Sequence, residues 1–213
     1  ELNGRIIGID VGANIGDTIA AFQNSNSDLF LAIEPNPHFA KYLYLNWGTF
    51  DNIIISENLC SSHCGEINVE FKEKNGTASI QTLKGNEKVI CKTLDKVIEE
   101  NPIFLNANLL KVDTDGHDFE VLKGAKKLIC QNQPTVLFEC DLFNNDNYIS
   151  EMLDVLNIFH EANYSQAIFY DNHGYLIGKF SIQDNKEIKN LLFYQSVSKL
   201  LYFDVLLIND EFI

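Results

Sequence analysis

The chain is short of positive charge. It carries 16 Lys and Arg against 30 Asp and Glu, a formal net charge of −14. Nucleic acids and anionic membrane surfaces are held by basic faces, so that deficit argues against both as partners. Solubility is its plain consequence. No stretch approaches the roughly 20 consecutive apolar residues of a membrane span. Cysteine is limited to Cys60, Cys64, Cys91, Cys130 and Cys140, with no C-x-x-C pair. Cys60 and Cys64 could supply half of a metal site, but no second Cys or His pair is spaced to complete it. The expectation is five reduced thiols in a cytoplasmic protein, with Cys140 inside a buried strand, and no metal. Repeats, low-complexity tracts and linkers are absent, so all 213 residues are expected to form one domain with ample length for a core. No signal peptide is expected, since Glu1-Leu2-Asn3-Gly4 leads directly into the first strand. The chain opens without Met, so a domain cut from something longer is the alternative.

The stretch that organises the chain is Arg5-Ile6-Ile7-Gly8-Ile9-Asp10-Val11-Gly12-Ala13-Asn14-Ile15-Gly16-Asp17-Thr18. Ile6–Val11 is too short for a helix and β-branched enough for a buried strand. Small residues follow, and then the start of a helix. Strand, glycine turn and helix in that order open a ligand crevice at the carboxyl ends of an α/β sheet. A dinucleotide turn reads G-x-G-x-x-G, because a pyrophosphate presses on backbone and helix start. Here the pattern is Asp10-x-Gly12-x-Asn14-x-Gly16. Its carboxylate repels a pyrophosphate and attracts a cation such as an amino-acid ammonium. S-adenosylmethionine offers that ammonium, a sulfonium and no phosphate. An ordinary strand–helix turn is the plain alternative.

Further along, Leu29–Glu34 reads as a second strand stopped by Pro35-Asn36-Pro37, with a helix over His38–Asn46. Glu34 lies about 20 residues past the glycine loop, where a carboxylate accepts ribose hydroxyl protons; an acid favoured beside a helix N-terminus is the other reading. Ile53–Ser56 is a third strand, and Asn58 is placed at the adenine side by position only. Between Gly65 and Thr93 the residues alternate, with Asn75-Gly76 and Gly85-Asn86 as turn signals, which predicts an antiparallel β insertion. Thr93 caps a helix over Lys96–Glu100.

A second cluster follows in Asn108 to Ala125. Leu109–Val112 is a fourth strand ending in Asp113, Asp115 and His117 before a helix bearing Phe119, Leu122 and Ile129. Asp115 as N-cap, with Asp118 in capping-box fashion, explains part of this pattern. It leaves Asp113 and His117 unexplained. Strand four lies beside strand one in a doubly wound sheet, so the cluster should face the glycine loop. His117 is a candidate general base oriented by Asp115 or Asp113, with simple packing at a helix N-terminus as the alternative. Asp113, Glu139 and Asp141 could instead hold Mg²⁺ and polarise an acceptor hydroxyl.

Pro134–Asp141 is a fifth strand. Tyr148–Glu161 is a helix with Ile149, Leu153, Leu156 and His160 in a stripe, His160 serving packing rather than ligation. A hairpin turns at Asp171–Gly174, and Phe203–Ile208 is a last strand.

Taken together, Ile9–Thr18, Glu34–Pro37, Thr93–Asp95 and Lys111–Ala125 resemble the FkbM family of S-adenosylmethionine-dependent methyltransferases. The likeness runs from about residue 6 to 140. It implies an α/β, Rossmann-like, seven-stranded, mostly parallel sheet with an antiparallel C-terminal edge, helices on both faces and a small β insertion between strands three and four. It implies methyl transfer, commonly to hydroxyl oxygens of sugars or natural products. Cofactor contacts are implied at Asp10, Gly12, Asn14, Gly16, Glu34 and Asp113, and Ala13, Thr18 and Pro35 stand beside them in the same turns. Asp115 departs from the family's more usual Glu, and Thr114 stands at a usually aliphatic position. A nucleotide-cofactor oxidoreductase and a non-catalytic cofactor-binding domain are the readings from other classes. The acceptor is not named by the sequence: Tyr42, Tyr44, Trp47, Phe143 and Tyr148 could stack on a sugar ring, though core packing suits most of them. The expected partner is a small-molecule or saccharide acceptor.

Overall fold

Strand β1 (Ile7–Val11) runs through the middle of the molecule, parallel to β2 (Leu29–Ile33) on one side and β8 (Leu109–Val112) on the other. Ile9 sits opposite Leu31 and Leu110 in those ladders. All five residues of β2 are buried, as continuous apolar strands of parallel sheets are. The computed structural model describes residues 4–74, 77–82, 87–142, 145–199 and 201–209. The two turn signals Asn75-Gly76 and Gly85-Asn86, and Phe143, lie outside them.

The main sheet has the order β11-β10-β12-β9-β8-β1-β2-β3, where β3 is Ile53–Ser56, β9 Thr135–Cys140, β10 Gln166–Asp171, β11 Leu176–Ser181 and β12 Phe203–Leu207. From β9 to β3 every pairing is parallel; β12 enters antiparallel between β9 and β10, and β11 is antiparallel to β10. The sheet thus has eight strands rather than the expected seven. The extra edge strand comes from the second arm of the predicted hairpin. Its turn is pinned by the Asp171 carboxylate, which accepts from the His173 and Tyr175 amides, each at 2.9 Å.

The β insertion is a separate four-stranded sheet of order β4-β7-β5-β6, where β4 is Leu59–Cys60, β5 Gly65–Lys74, β6 Thr77–Thr82 and β7 Glu87–Lys92. Leu59-Cys60 joins this sheet beside β7. Helices cover both faces of the main sheet. Phe30 and Ala32 of β2 pack with Ile19 of α1 (Asp17–Phe22) and Leu43 of α2 (Pro37–Trp47). Leu29, Leu31 and Ile33 face the larger core shared with α3 (Leu94–Glu100), α4 (Asp118–Lys123), α5 (Lys126–Asn132), α6 (Tyr148–Glu161) and α7 (Lys186–Ser198). Among the described residues no helix is long and apolar enough to cross a membrane.

Three local expectations change. The helix after β8 is two helices, broken at Gly124-Ala125. A Cβ on Gly124 would stand 2.2 Å from the Ser61 carbonyl oxygen, so the chain bends where the insertion passes. Asp95 then caps the second piece from outside, accepting from the Lys127 and Leu128 amides at 2.8 and 3.0 Å. On α6 the buried stripe is Tyr148, Met152, Val155, Leu156 and Phe159; Ile149 and Leu153 are its margin and His160 is exposed. Helix α7 was not foreseen. It buries Ile188, Leu192 and Gln195 but leaves Phe193, Tyr194 and Val197 exposed, so its pattern carries no clean apolar face.

The start of β1 is tied down by Asp28. This side chain is buried and accepts from the amides of Ile6, Asn24 and Ser25 at 2.8–2.9 Å. Burial works to raise its pKa, but the backbone donors outweigh it and hold it below the usual aspartate value. Asp28→Ala should therefore lower unfolding stability by about 3 kcal/mol in urea titrations near neutral pH. Because the folded pKa is depressed, that difference is complete above the unfolded value of about 4 and shrinks as pH falls through the folded one.

Candidate functional site

The carboxyl ends of β1, β2, β8 and β9 meet at one crevice. Gly12 has φ +84°, and a Cβ there would lie 1.8 Å from the Asp113 carbonyl oxygen. Only glycine gives both that conformation and that approach. The Asp113 amide donates to the Val11 carbonyl at 2.9 Å, so the tips of β1 and β8 touch through backbone. On the other side, the Gly12 and Ala13 amides both donate to the Ile33 carbonyl, at 2.9 and 3.0 Å.

Glu34 continues β2 into this loop. One carboxylate oxygen accepts from the Asn14 amide at 2.9 Å and the other from the Asn36 amide at 2.8 Å. Asn14 reaches it in a left-handed conformation, φ 49°. Burial raises the Glu34 pKa, against the two amides. Each oxygen keeps a further lone pair free for a hydroxyl donor. Pro35 follows directly, and Asn36 caps α2 through the His38 and Phe39 amides. Asn58 stands at the neighbouring tip of β3, donating to the Ser56 hydroxyl at 2.7 Å. Ala13 is packed in the core under α1 and α2, so only its backbone can meet a ligand.

Asp10 is 1% exposed, and neither carboxylate oxygen has a hydrogen-bond partner among the described residues. Burial pushes its pKa up to about 6, opposed by the Lys111 ammonium; Asp113 and Asp17 add to the rise, and the nearby Thr18 hydroxyl eases it without reaching hydrogen-bond geometry. Lys111 stands 3.9 Å from Asp10 and 2.8 Å from Asp113. The sequence reading missed this lysine, although a lone cation within Leu109–Val112 was the available signal.

The turn Thr114-Asp115-Gly116 folds over Asp118. One Asp118 oxygen accepts from the Thr114 hydroxyl at 2.9 Å and from the Thr114 and Gly116 amides at 3.3 and 3.4 Å. Asp115 is therefore not the N-cap. It is left-handed, φ 50°, and the residue flanking α4 is His117, with no side-chain cap. Asp115 is half-buried in the crevice. Burial and the charges of Asp113 and Asp141 push its pKa up to about 6 against Lys111, and it acts in turn on Glu34.

His117 is buried, and its Nε2 lies 3.3 Å from the Ser61 hydroxyl. Burial lowers its pKa, and the carboxylate acting against that is Glu120. The expected pairing with Asp113 or Asp115 is not what the structure shows: the ring faces the β insertion, and Asp113 faces Lys111. Among the described residues no three His, Cys, Asp or Glu side chains converge as a metal-binding group, and Asp113, Glu139 and Asp141 form none.

Beyond β8 lies a cleft of about 340 Å³, counted out to open solvent, lined by Asp118, Phe119, Glu139, Asp141, Leu142 and Glu151 among others. Burial first, then Asp113, Asp118, Asp115 and Asp141, push Glu139 up to about 9. Burial does the same to Asp118, up to about 7.

An open α/β sheet whose ligand crevice is entered by an acid-led glycine turn is the architecture of Rossmann-like methyltransferases. The chain belongs to the FkbM methyltransferase family: the model of the methyltransferase FkbM domain matches residues 10–166. Among solved structures, it is similar to methyltransferase FkbM from Methylobacillus flagellatus KT, at 16% identity and a TM-score of 0.52, over 77% of this chain and 40% of that one. It is also similar to precorrin-6y C5,15-methyltransferase from Geobacter metallireducens GS-15, at 9% identity and a TM-score of 0.52, over 99% of this chain and 83% of that one. Both likenesses are of fold. The chain thus spans less than half of the Methylobacillus protein. No curated protein sequence matches significantly.

The raised carboxylates have a measurable consequence. A carboxyl whose folded pKa exceeds its unfolded one binds more protons folded, so stability falls as pH rises toward the folded value. His117, depressed, works in the opposite direction only below about 6.5. Between pH 7 and 9 the urea midpoint of the ligand-free protein should therefore fall, and Glu139→Gln should flatten that fall. A midpoint that rises over this range would contradict the assignment.

Proposed function

We propose that this domain is an S-adenosylmethionine-dependent O-methyltransferase, acting on a hydroxyl of a sugar or natural-product acceptor. The observation that carries the reading is Asp10. It is a buried carboxylate with both oxygens unpartnered, at the lip of a glycine loop that only a missing Cβ permits. Leaving such a group unpaired costs free energy, which a cationic ligand group recovers. The residues present fit the cofactor. Asp10 would hold the ammonium directly or through water, the Gly12–Gly16 backbone would line it, and Glu34 would accept from the ribose hydroxyls. Asn58 would border the adenine side.

When bound, the cofactor supplies a methyl group already activated on a positively charged sulfur. What remains for the protein is to position the acceptor, a contribution of up to roughly 7–11 kcal/mol, and to take up its hydroxyl proton. Asp115 suits the second task better than His117. It is a half-buried carboxylate in the crevice with a pKa of about 6, close to working pH, whereas His117 is buried against Ser61. His117 then holds the turn against the insertion, and general-base action by Asp115 is worth about 10²–10⁴-fold.

Calorimetry tests the reading. S-adenosylmethionine and S-adenosylhomocysteine should bind and NAD should not; the reverse order would point to an oxidoreductase. Asp10→Asn should weaken S-adenosylmethionine on the order of tenfold or more while raising the urea midpoint of the ligand-free protein, since it removes a buried carboxylate that lacks hydrogen-bond donors and is only partly offset by Lys111. Glu34→Ala should weaken adenosine-containing ligands selectively, and unchanged affinity would remove the ribose assignment.

A further inference from the structure

The crevice has two halves divided by β8. The cofactor cradle lies toward β1 and β2. Toward β9 lies the cleft of Asp118, Glu139 and Asp141, walled by Phe119 and Leu142. Its charges are unevenly matched. Glu120 and Glu151 share the Lys123 ammonium, at 2.7 and 3.5 Å, so the outer wall is partly neutralised. Lys111 is taken by Asp113 and Asp10. Glu139 and Asp118 form no ion pair among the described residues, and each presents one buried carboxylate oxygen without any hydrogen-bond partner. Asp118 is 3% exposed, and its second oxygen is occupied by the Thr114 and Gly116 donors. The unpartnered oxygen of a side chain this buried, in the wall of an open cleft, marks a place where a ligand donor is missing.

Resting on the methyltransferase reading, we propose that this cleft binds the protonated amine of an amino-alcohol acceptor, an amino sugar within the sugar class, with Glu139 and Asp118 receiving the ammonium. A neutral polyol could donate hydroxyls to both oxygens, but it brings no positive charge to a cleft lined by Asp118, Glu139 and Asp141. An ammonium offers three donors and the positive charge together. It also lets Glu139 ionise on binding, where burial and its acidic neighbours otherwise keep it protonated.

The test uses protein saturated with S-adenosylhomocysteine, titrated with D-glucosamine and with D-glucose as its neutral counterpart. Glucosamine should bind on the order of tenfold or more tighter. Glu139→Gln should erase that preference while leaving S-adenosylhomocysteine affinity unchanged, and Asp118→Asn serves if the first variant does not fold. Equal affinity for the two sugars, no binding of either, or a preference that survives both substitutions overturns the amine assignment and leaves the methyl-donor site standing. Failure of S-adenosylhomocysteine itself to bind overturns both.

Discussion

The site depends on one backbone contact, the approach of the Asp113 carbonyl into the space where Gly12 would carry a Cβ. Two parallel strands whose tips are joined this closely cannot splay, so the side chains on either side of the joint are fixed relative to each other. Asp10 and Asp113 are thereby held about Lys111, and the glycine loop is pressed onto the end of β2, where Ile33 and Glu34 take up its amides. An alanine at position 12 would need an unfavourable left-handed backbone and would also have to push β8 away. Local conformation and long-range packing thus demand the same residue, which is the sort of agreement between levels that fixes a fold.

What the joint holds is costly to the empty protein. Asp10, Asp115, Asp118 and Glu139 all have raised pKa values, and burial is the first cause in each. Lys111 offsets part of this on the β1 side. On the β9 side acid faces acid. Asp10, Asp118 and Glu139 each keep a buried oxygen without a hydrogen-bond donor, against the rule that buried polar groups are satisfied, and sites that break such rules are where function is found. The rest of the molecule supplies the compensation. The core beneath β1, β8 and β9 is continuous and aromatic-rich, with ring contacts running from Tyr148 through Phe119 and Phe138 to Phe159.

Much of this was legible in the sequence because the relevant signals are local. β3 and β8 are read residue for residue, since each is a short apolar run closed by polar residues, and β1 and β2 differ from their reading by one residue at one end. Thr93 and Asn36 cap helices where their side chains predict it, although Asn36 was read only as part of a turn. The failures arise where the deciding partner is distant in the chain. Gly124 looks like a tolerable helix glycine until Ser61 is found against it. Asp95 looks like a first-turn acid of α3, yet caps α5. His117 follows two aspartates in sequence, and their nearness along the chain suggested a dyad; the left-handed turn at Asp115 instead carries the ring to Ser61.

The same distinction separates the two halves of the crevice. The half proposed to hold the cofactor is built mainly from one contiguous segment, strand then turn then helix start, with Glu34 joining it from the end of β2, so most of its chemistry is written in neighbouring residues. The half proposed to hold the acceptor is assembled from the turn after β8, the end of β9 and the face of α6, which no single stretch of sequence contains. Its electrostatics follow from which lysine reaches which acid: Lys123 closes over Glu120 and Glu151 and leaves Glu139 and Asp118 bare. That choice is a property of three-dimensional packing. It is also the part of the site free to vary without disturbing the Gly12–Asp113 joint; under the proposed function, acceptor specificity could change there while the methyl-donor half stays the same.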